Sequence, residues 1–142
     1  MARIIVSACL LGCKCRYDGA SKPCERVLKL AEEGNVLIPV CPEQMGGLPT
    51  PRIPSERQPG GFPILMKDGT DVTENYRRGV DTALEIARLN RADYAIFKAG
   101  SPSCGKGLIY DGSFTGKKIP GNGITVQAFL DAGYTVYSDE EL

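Results

Sequence analysis

Short apolar runs alternate with amphipathic segments along this chain, and the alternation predicts its secondary structure. Four runs rich in β-branched or aromatic residues have the length of strands, and the first is continuously apolar, as in strands buried on both faces. These runs cover residues 3–7, 36–40, 94–98 and 135–137. Apolar positions at helical spacing predict helices over 23–33, 75–90 and 125–132. Ser21 is a candidate N-cap for the first helix, and Gly34 is its stop.

The order of these elements indicates an α/β fold. Parallel strands joined by crossover helices predict a Rossmann-like open parallel sheet of about four strands, with helices on its faces and long Gly/Pro-rich loops. A length of 142 residues suits one domain, 1–142. Residues 42–63 contain six prolines and are expected to form an irregular loop. Small hairpins are predicted over 64–73, with Asp-Gly at the turn, and before Gly123.

Charge and hydropathy exclude several classes of protein. The 17 basic residues balance the 17 acidic residues, so the chain lacks the excess of basic residues that is typical of nucleic-acid-binding proteins. No apolar run approaches the roughly 18 residues that a membrane span needs. The apolar stretch 4–11 is about as short as the hydrophobic region of a signal peptide can be, and it is interpreted as the first strand. We therefore expect a cytoplasmic monomer or small homo-oligomer whose cysteines are reduced thiols or metal ligands.

Three of the six cysteines follow predicted strands. Cys9 comes after the first strand, Cys41 closes the second, and Cys104 lies in the loop after the third. Ligands of open α/β sheets bind at the carboxyl ends of parallel strands. Cysteine is also a common buried small residue, which would explain Cys9 or Cys41 singly. Because all three map to one edge of the sheet, the sequence predicts a metal site there.

The absence of histidine narrows the chemistry of that site. Three thiolates without imidazole suit an iron–sulfur cluster or zinc, although structural zinc usually has four ligands in close CxxC pairs. Cys13, Cys15 and Cys24 could supply a fourth ligand or a separate small site. The favoured interpretation of these three is reduced, partly exposed loop thiols. A cluster held by three cysteines would leave one iron open to substrate.

Other side chains with suitable chemistry lie near these cysteines in sequence. Glu43 is two residues after Cys41 and is a candidate general acid/base, although a solvated loop carboxylate is the simpler alternative. Ser101 and Ser103 precede Cys104, where they can contact a ligand or serve as turn and capping residues. Two arginines, Arg16 and Arg52, could hold an anionic group.

A set of short motifs occurs in order along the chain, from about residue 3 to 138. The motifs are Ala8-Cys9-Leu10-Leu11-Gly12, Arg16-Tyr17-Asp18-Gly19, Cys41-Pro42-Glu43, residues 46–52 (GGLPTPR), Ser101-Pro102-Ser103-Cys104-Gly105, residues 109–114 (IYDGSF) and residues 120–123 (PGNG). Each motif alone is weak, but the ordered set is specific, and it resembles a family of small bacterial domains, the thiouracil desulfidases.

This resemblance implies a function and a set of site residues. It implies an iron–sulfur enzyme that removes sulfur from 2-thiouracil or a related thiolated pyrimidine without net redox change. The implied cofactor is a [4Fe-4S] cluster, and the implied ligands are Cys9, Cys41 and Cys104. The implied proton carrier is Glu43, and a substrate-side serine is implied at Ser101 or Ser103.

Two other classes of function are compatible with the same residues. One is a non-catalytic metal-binding or redox-sensing domain in which zinc or a cluster serves as a structural staple. The other is a thiol enzyme that uses Cys13 and Cys15, although a CxC pair without a basic partner is a poor activated nucleophile. Colour separates a cluster protein, which is brown, from a zinc protein, which is colourless.

Overall fold

Four parallel strands form the centre of the molecule, and the computed structural model describes residues 1–142. The chain has eight strands in all: β1 (Arg3–Ser7), β2 (Val36–Val40), β3 (Ser55–Arg57), β4 (Ile64–Met66), β5 (Tyr94–Phe97), β6 (Leu108–Tyr110), β7 (Lys118–Pro120) and β8 (Thr135–Ser138). The helices are α1 (Glu25–Glu32), α2 (Pro42–Met45), α3 (Thr73–Leu89) and α4 (Ile124–Asp131). The central sheet has the order β2-β1-β5-β8, and every neighbouring pair is parallel. The predicted Rossmann-like open sheet is confirmed.

The inner strand β1 separates two apolar cores. Ile5 packs with residues of α3 and α4, whereas Ile4 and Val6 pack on the other face with Val27 of α1. Ile4, Ile5 and Val6 are all fully buried. Because both faces of the strand are covered, its sequence is continuously apolar rather than alternating.

The three long helices agree with the sequence prediction except near their ends. α1 begins after Cys24, and Ser21 does not cap it. The Cys24 amide donates to the Leu10 carbonyl at 2.9 Å, which ties the start of the helix to the turn after β1. α3 begins two residues earlier than predicted, at Thr73. Its last residue, Leu89, is apolar but 66% exposed.

The prediction that residues 42–63 contain no regular structure is wrong. α2 starts at Pro42, since a proline in the first turn costs no helical hydrogen bond. β3 pairs with β4 in an antiparallel ribbon, where the sequence predicted that residues 64–66 would pair with 71–73. Only the isolated bridge between Leu65 and Asp71 remains of that predicted pairing. Such short elements carry too few residues to show a periodicity.

A glycine contact fixes α2 against α3 beside the sheet. A Cβ atom at Gly79 would lie 1.9 Å from the Pro42 carbonyl oxygen, so only glycine allows the two helices to come this close. This contact sets the position of the segment that carries Cys41 and Glu43.

The second predicted hairpin is confirmed as the antiparallel ribbon of β6 and β7. The structure contains no helix with the length and apolar character of a membrane span.

Candidate functional site

A cavity of about 380 Å³ opens at the carboxyl edge of the central sheet. Ser7 at the end of β1, Val40 at the end of β2 and Lys98 just after β5 line its floor. The volume lies within the usual range of small-molecule sites, about 300–1,000 Å³. The cavity is therefore at the edge where parallel α/β sheets bind their ligands.

All three cysteines that follow the strands reach the wall of this cavity. Cys9 lies in the 3-10 turn Ala8–Leu11 directly after β1, and Cys41 immediately follows β2. Cys104 comes from the loop after β5 and is 6% exposed. Three segments that are far apart in sequence thus bring thiols to one cavity.

A fourth thiol, that of Cys15, lies on the same wall. It packs in one buried cluster with Cys9, Cys41 packs against that cluster, and the Cys41 Sγ donates to the Cys15 carbonyl at 3.8 Å. The expectation of partly exposed loop thiols holds for Cys13, which is exposed, and for Cys24, which is half-buried. It is wrong for Cys15, which is only 5% exposed because its loop folds back over the cavity.

Glu43 is held by two donors on the same carboxylate oxygen. Arg52 Nε donates to Oε1 at 3.1 Å, and the Tyr76 hydroxyl donates to it at 2.9 Å. The other oxygen, Oε2, lies 3.4 Å from the Ser101 hydroxyl. The side chain of Glu43 is 16% exposed, so it is not the solvated carboxylate of the simpler alternative. One oxygen fixes the group in place, and the other is left for chemistry.

The structure separates the two candidate arginines. The Arg52 side chain is 3% exposed, and its donors are occupied by Glu43 and by oxygens of Pro49, Thr50 and Cys15. The anionic group that Arg52 holds is therefore the carboxylate of Glu43. Arg16 is half-buried at the cavity wall, where its guanidinium lies 5.8 Å from the centre of the Tyr17 ring.

The two candidate serines also differ in position. The Ser101 hydroxyl lines the cavity and accepts hydrogen bonds at 3.0 Å from the amides of both Ser103 and Cys104. Ser103 is fully buried outside the lining, and its hydroxyl lies 2.6 Å from that of Thr125. The structure thus brings Ser101 to the site and assigns Ser103 to the support behind it.

Sequence reasoning missed several residues that shape the cavity. Ser7 lies close enough to the Cys104 thiol to lower its pKa, and its hydroxyl accepts from the Lys98 amide at 2.9 Å. Tyr76 reaches Glu43 from the buried face of α3. Glu56 is 8% exposed on the cavity wall and accepts from the amide of Gly112 at 2.9 Å. No local pattern identifies these residues, because each contact joins distant parts of the chain.

The environment of three cavity thiols, those of Cys15, Cys41 and Cys104, raises their pKa values. For Cys15, the hydrogen bond with Cys41 lowers the pKa, but the hydrogen bond with Cys9 and burial outweigh it and raise the pKa to about 11. The hydrogen bond with Cys15 and burial raise the pKa of Cys41 strongly. Burial raises the pKa of Cys104 to about 12, although a hydrogen bond from Ser7 lowers it. The thiols are therefore protonated at neutral pH, and binding a metal group must displace these protons.

We expect the cofactor-free protein to lose stability as the pH rises above about 9, the ordinary pKa of these thiols. Their pKa values are higher in the folded state, so the unfolded state releases protons first and binds fewer of them. The free energy of unfolding then falls with pH until the folded-state values of about 11 and 12 are passed. Guanidinium titrations under reducing conditions from about pH 8 to 11 measure this slope.

The matched variants for this measurement differ only in which thiol is removed. Cys104→Ala should flatten the decline because it removes a buried group with a raised pKa. Cys13→Ala should leave the decline unchanged, since that thiol is exposed. Equal slopes in Cys104→Ala and the parent protein would contradict the assignment.

The donor set of the cavity fits an iron–sulfur cluster. Thiolates are the usual ligands of such clusters, and cysteine is the only soft ligand type on this wall. No three Cys, Asp or Glu side chains converge on one point as they do around a single metal ion. The cavity also has room beside the thiols, where Glu43 and Ser101 face the open space.

Known proteins resemble this chain along its whole length. A solved structure of a [4Fe-4S]-dependent thiouracil desulfidase, TudS (DUF523Vcz), is 43% identical with a TM-score of 0.93, and the match covers 100% of this chain and 93% of that one. The uncharacterized protein YbbK of Bacillus subtilis (strain 168) is 42% identical over 147 aligned positions, which cover 98% of this chain and 97% of YbbK. The sequence profile of the 2-thiouracil desulfurase family matches residues 4–141. The chain therefore belongs to the 2-thiouracil desulfurase family.

Proposed function

We propose that this protein is a [4Fe-4S]-dependent desulfidase that removes sulfur from 2-thiouracil or a related thiolated base, giving uracil and sulfide. The observation that carries the proposal is the convergence of three strand-end thiols and a carboxylate on one cavity in a chain of this family. The similarity to TudS over the whole chain supports the choice of cofactor.

Cys9, Cys41 and Cys104 are the residues that would hold the cluster, each as a thiolate. When bound, the cluster supplies a soft Lewis-acidic iron that polarises the thiocarbonyl group of the base and accepts its sulfur without net electron transfer. Because these residues donate only three thiolates, one iron is left without a ligand from this set. The rest of the site positions the base and moves protons.

Glu43 is the residue placed to move protons. Conversion of a thiocarbonyl group into a carbonyl group consumes one water, which loses protons as it attacks the carbon, while the departing sulfur gains them. Arg52 and Tyr76 both donate to Oε1 and fix the carboxylate. Oε2 accepts the proton of the attacking water and returns it to the departing sulfur. The hydroxyl of Ser101, 3.4 Å from Oε2, positions this end of the site.

Anaerobic reconstitution with iron and sulfide, followed by an assay of uracil and sulfide release from 2-thiouracil, tests this function. The loaded protein should be brown and contain about four iron and four sulfide per chain. If the protein is colourless and contains zinc, the assignment of the [4Fe-4S] cofactor is wrong. A brown protein that leaves 2-thiouracil and related thiolated bases intact would instead support the non-catalytic or redox-sensing alternative.

We also propose the setting in which the enzyme works. Six unpaired cysteines suit the reducing cytoplasm of a bacterium. The balanced charge suits a free thiolated pyrimidine as substrate rather than nucleic acid or a membrane surface. We expect the reaction, formally hydrolytic or lyase-like, to be carried out by a single domain, 1–142, as a monomer or small homo-oligomer.

Replacing Ser101 and Ser103 by alanine, one at a time, should distinguish a hydroxyl that acts in the reaction from one that only stabilises the fold. Ser101→Ala removes the hydroxyl next to Glu43, and turnover should fall by about 2- to 12-fold, the equivalent of one neutral hydrogen bond of 0.5–1.5 kcal/mol. Ser103→Ala leaves the buried hydroxyl of Thr125 without its partner and should lower the free energy of unfolding by about 1–3 kcal/mol.

Turnover per bound cluster and denaturant unfolding are measured on both serine variants. Ser103→Ala should keep turnover per cluster near the parent value, because its side chain does not line the cavity. A larger loss of turnover in Ser103→Ala than in Ser101→Ala would reverse the two assignments.

A further inference from the structure

A second buried carboxylate, that of Glu56, lies on the cavity wall and has no part in the proposed reaction. Glu56 belongs to β3 and is 8% exposed. It lines the same cavity as Glu43 and Ser101, which come from the segments after β2 and β5. A buried carboxylate costs free energy unless hydrogen-bond donors meet it, so the partners of each Glu56 oxygen show what the group is placed to do.

One carboxylate oxygen of Glu56 is fixed by a turn from a distant part of the chain. Oε1 accepts hydrogen bonds from the amides of Gly112 at 2.9 Å and Phe114 at 3.2 Å. Both amides belong to the turn between β6 and β7. A Cβ atom at Gly112 would lie 2.9 Å from the Arg57 carbonyl oxygen, so the turn lies directly against β3. These contacts set the position of the carboxylate.

The other oxygen of Glu56 is free. Oε2 accepts no hydrogen bond from the protein, and none of the ion pairs includes Glu56. The one fully buried side-chain oxygen or nitrogen without a partner is the hydroxyl oxygen of Ser55, so Oε2 is in contact with open space. Because Glu56 lines the cavity, that space is the cavity. The wall therefore presents a fixed, strong hydrogen-bond acceptor to whatever occupies the cavity.

We propose that Glu56 determines specificity for the ring of the substrate by accepting a hydrogen bond from an N–H group next to the thiocarbonyl carbon. This inference rests on the proposed function, in which the occupant is a thiolated pyrimidine. A 2-thiouracil ring carries one such N–H on each side of its thiocarbonyl carbon. The substrates are then thiolated bases in which the N–H that faces Glu56 is unsubstituted.

A carboxylate is well suited to this contact. Hydrogen bonds that involve a charged group are shorter and stronger than those between neutral groups. Glu43 is engaged elsewhere, since Arg52 and Tyr76 donate to one of its oxygens and Ser101 lies beside the other. Glu56 transfers no proton in this role, because its contact is with a nitrogen that keeps its hydrogen. It binds the base equally before and during the reaction, so its loss raises KM and leaves kcat nearly unchanged.

Glu56→Gln tests the role of this acceptor. The glutamine carbonyl oxygen can still accept from the amides of Gly112 and Phe114, which directs its NH2 group into the cavity. A donor then faces the N–H of the base. The KM for 2-thiouracil should rise by about 10- to 150-fold, the equivalent of one hydrogen bond to a charged group, while kcat stays within a few-fold of the parent value. Glu140→Gln, the same change at an exposed position of the cavity lining, should alter neither.

Binding of uracil, measured by calorimetry, gives a readout that does not depend on turnover. Uracil carries the same two N–H groups but no sulfur, so its Kd should rise in Glu56→Gln by the same factor as the KM.

Bases methylated on one ring nitrogen identify the contact itself. Methylation of the nitrogen that faces Glu56 removes the donor, so it should weaken binding to the parent protein by about 10- to 150-fold. In Glu56→Gln the cost of this methylation should shrink, because the contact is already lost. The cost of methylating the other nitrogen should be the same in both proteins. A residue that only supports the turn would change neither cost.

Three results would overturn the role of Glu56. The first is a folded Glu56→Gln protein with the KM and the Kd of the parent, and the second is a methylation cost that is unchanged at both nitrogens. The third is equal affinity of the parent protein for uracil and 1,3-dimethyluracil, which decides the matter even if Glu56→Gln does not fold.

Failure of the proposed function is recognised separately. A parent protein that binds no cluster, or that releases no sulfide from any thiolated base, overturns the function. Titration with uracil and its methylated forms still tests the contact with Glu56, because those ligands contain no sulfur.

Discussion

Glu43→Gln should lower turnover of 2-thiouracil by about 100- to 10,000-fold while the protein keeps its cluster, the usual contribution of a general acid/base. The amide preserves the shape of the side chain and can still accept hydrogen bonds from Arg52 and Tyr76. It cannot take up and return a proton near neutral pH. Binding of the base should therefore persist while the chemical step fails, and single-turnover kinetics with substrate titration measure the two separately.

The control for this variant is Glu140→Gln. Glu140 also lines the cavity, but it is exposed and has no contact with Arg52 or Tyr76. The same chemical change there should leave turnover within a few-fold of the parent. Full activity in Glu43→Gln would make water or another side chain of the cavity the proton carrier.

Cys104→Ala should abolish both the cluster and the activity. Its thiol is one of the three proposed ligands, and it comes from a loop separate from those of the other cysteines. Cys15 lies beside Cys41, whose Sγ donates to the Cys15 carbonyl at 3.8 Å. Cys41→Ala is a less stringent test, because the adjacent Cys15 thiol could take over there. Iron and sulfide analysis after anaerobic reconstitution measures the loss.

Two cysteine variants away from the cavity serve as controls for Cys104→Ala. Cys13 is exposed, and Cys24 is half-buried at the start of α1, so neither is in the cavity lining. Cys13→Ala and Cys24→Ala should each keep the full iron content. Loss of iron in either variant, or its retention in Cys104→Ala, would show that the ligand set is wrong.

Buried parallel strands were the most predictable part of this protein. A strand covered on both faces must be apolar at nearly every position, so the run around Ile5 can be recognised from the local sequence. The run around Ile38 is apolar as well, although it forms a partly buried edge strand. The ends of those strands then place Cys9 and Cys41 at one edge of the sheet, and Glu43 follows because it is only two residues beyond Cys41. These inferences need only the order of residues within a short segment.

The elements that sequence reasoning missed depend on contacts between distant segments. α2 and β3 are four and three residues long, and they are stabilised by packing on α3 and by pairing with β4. Arg52 and Cys15 are 37 positions apart, yet the hydrogen bond between them sets the path of the Cys15 loop. No periodicity or capping signal encodes such a contact.

The sequence by itself determined the α/β class, the four strands of the central sheet and the three strand-end thiols, because the apolar character and the direction of a strand can be read from consecutive residues. Only the tertiary structure decided that Arg52 holds Glu43, that Ser103 lies behind the cavity and that Cys15 joins the other thiols. Each of these outcomes is a hydrogen bond or a burial created when segments far apart in the chain pack together. Their free energy depends on three-dimensional distance, which the order of residues alone does not contain.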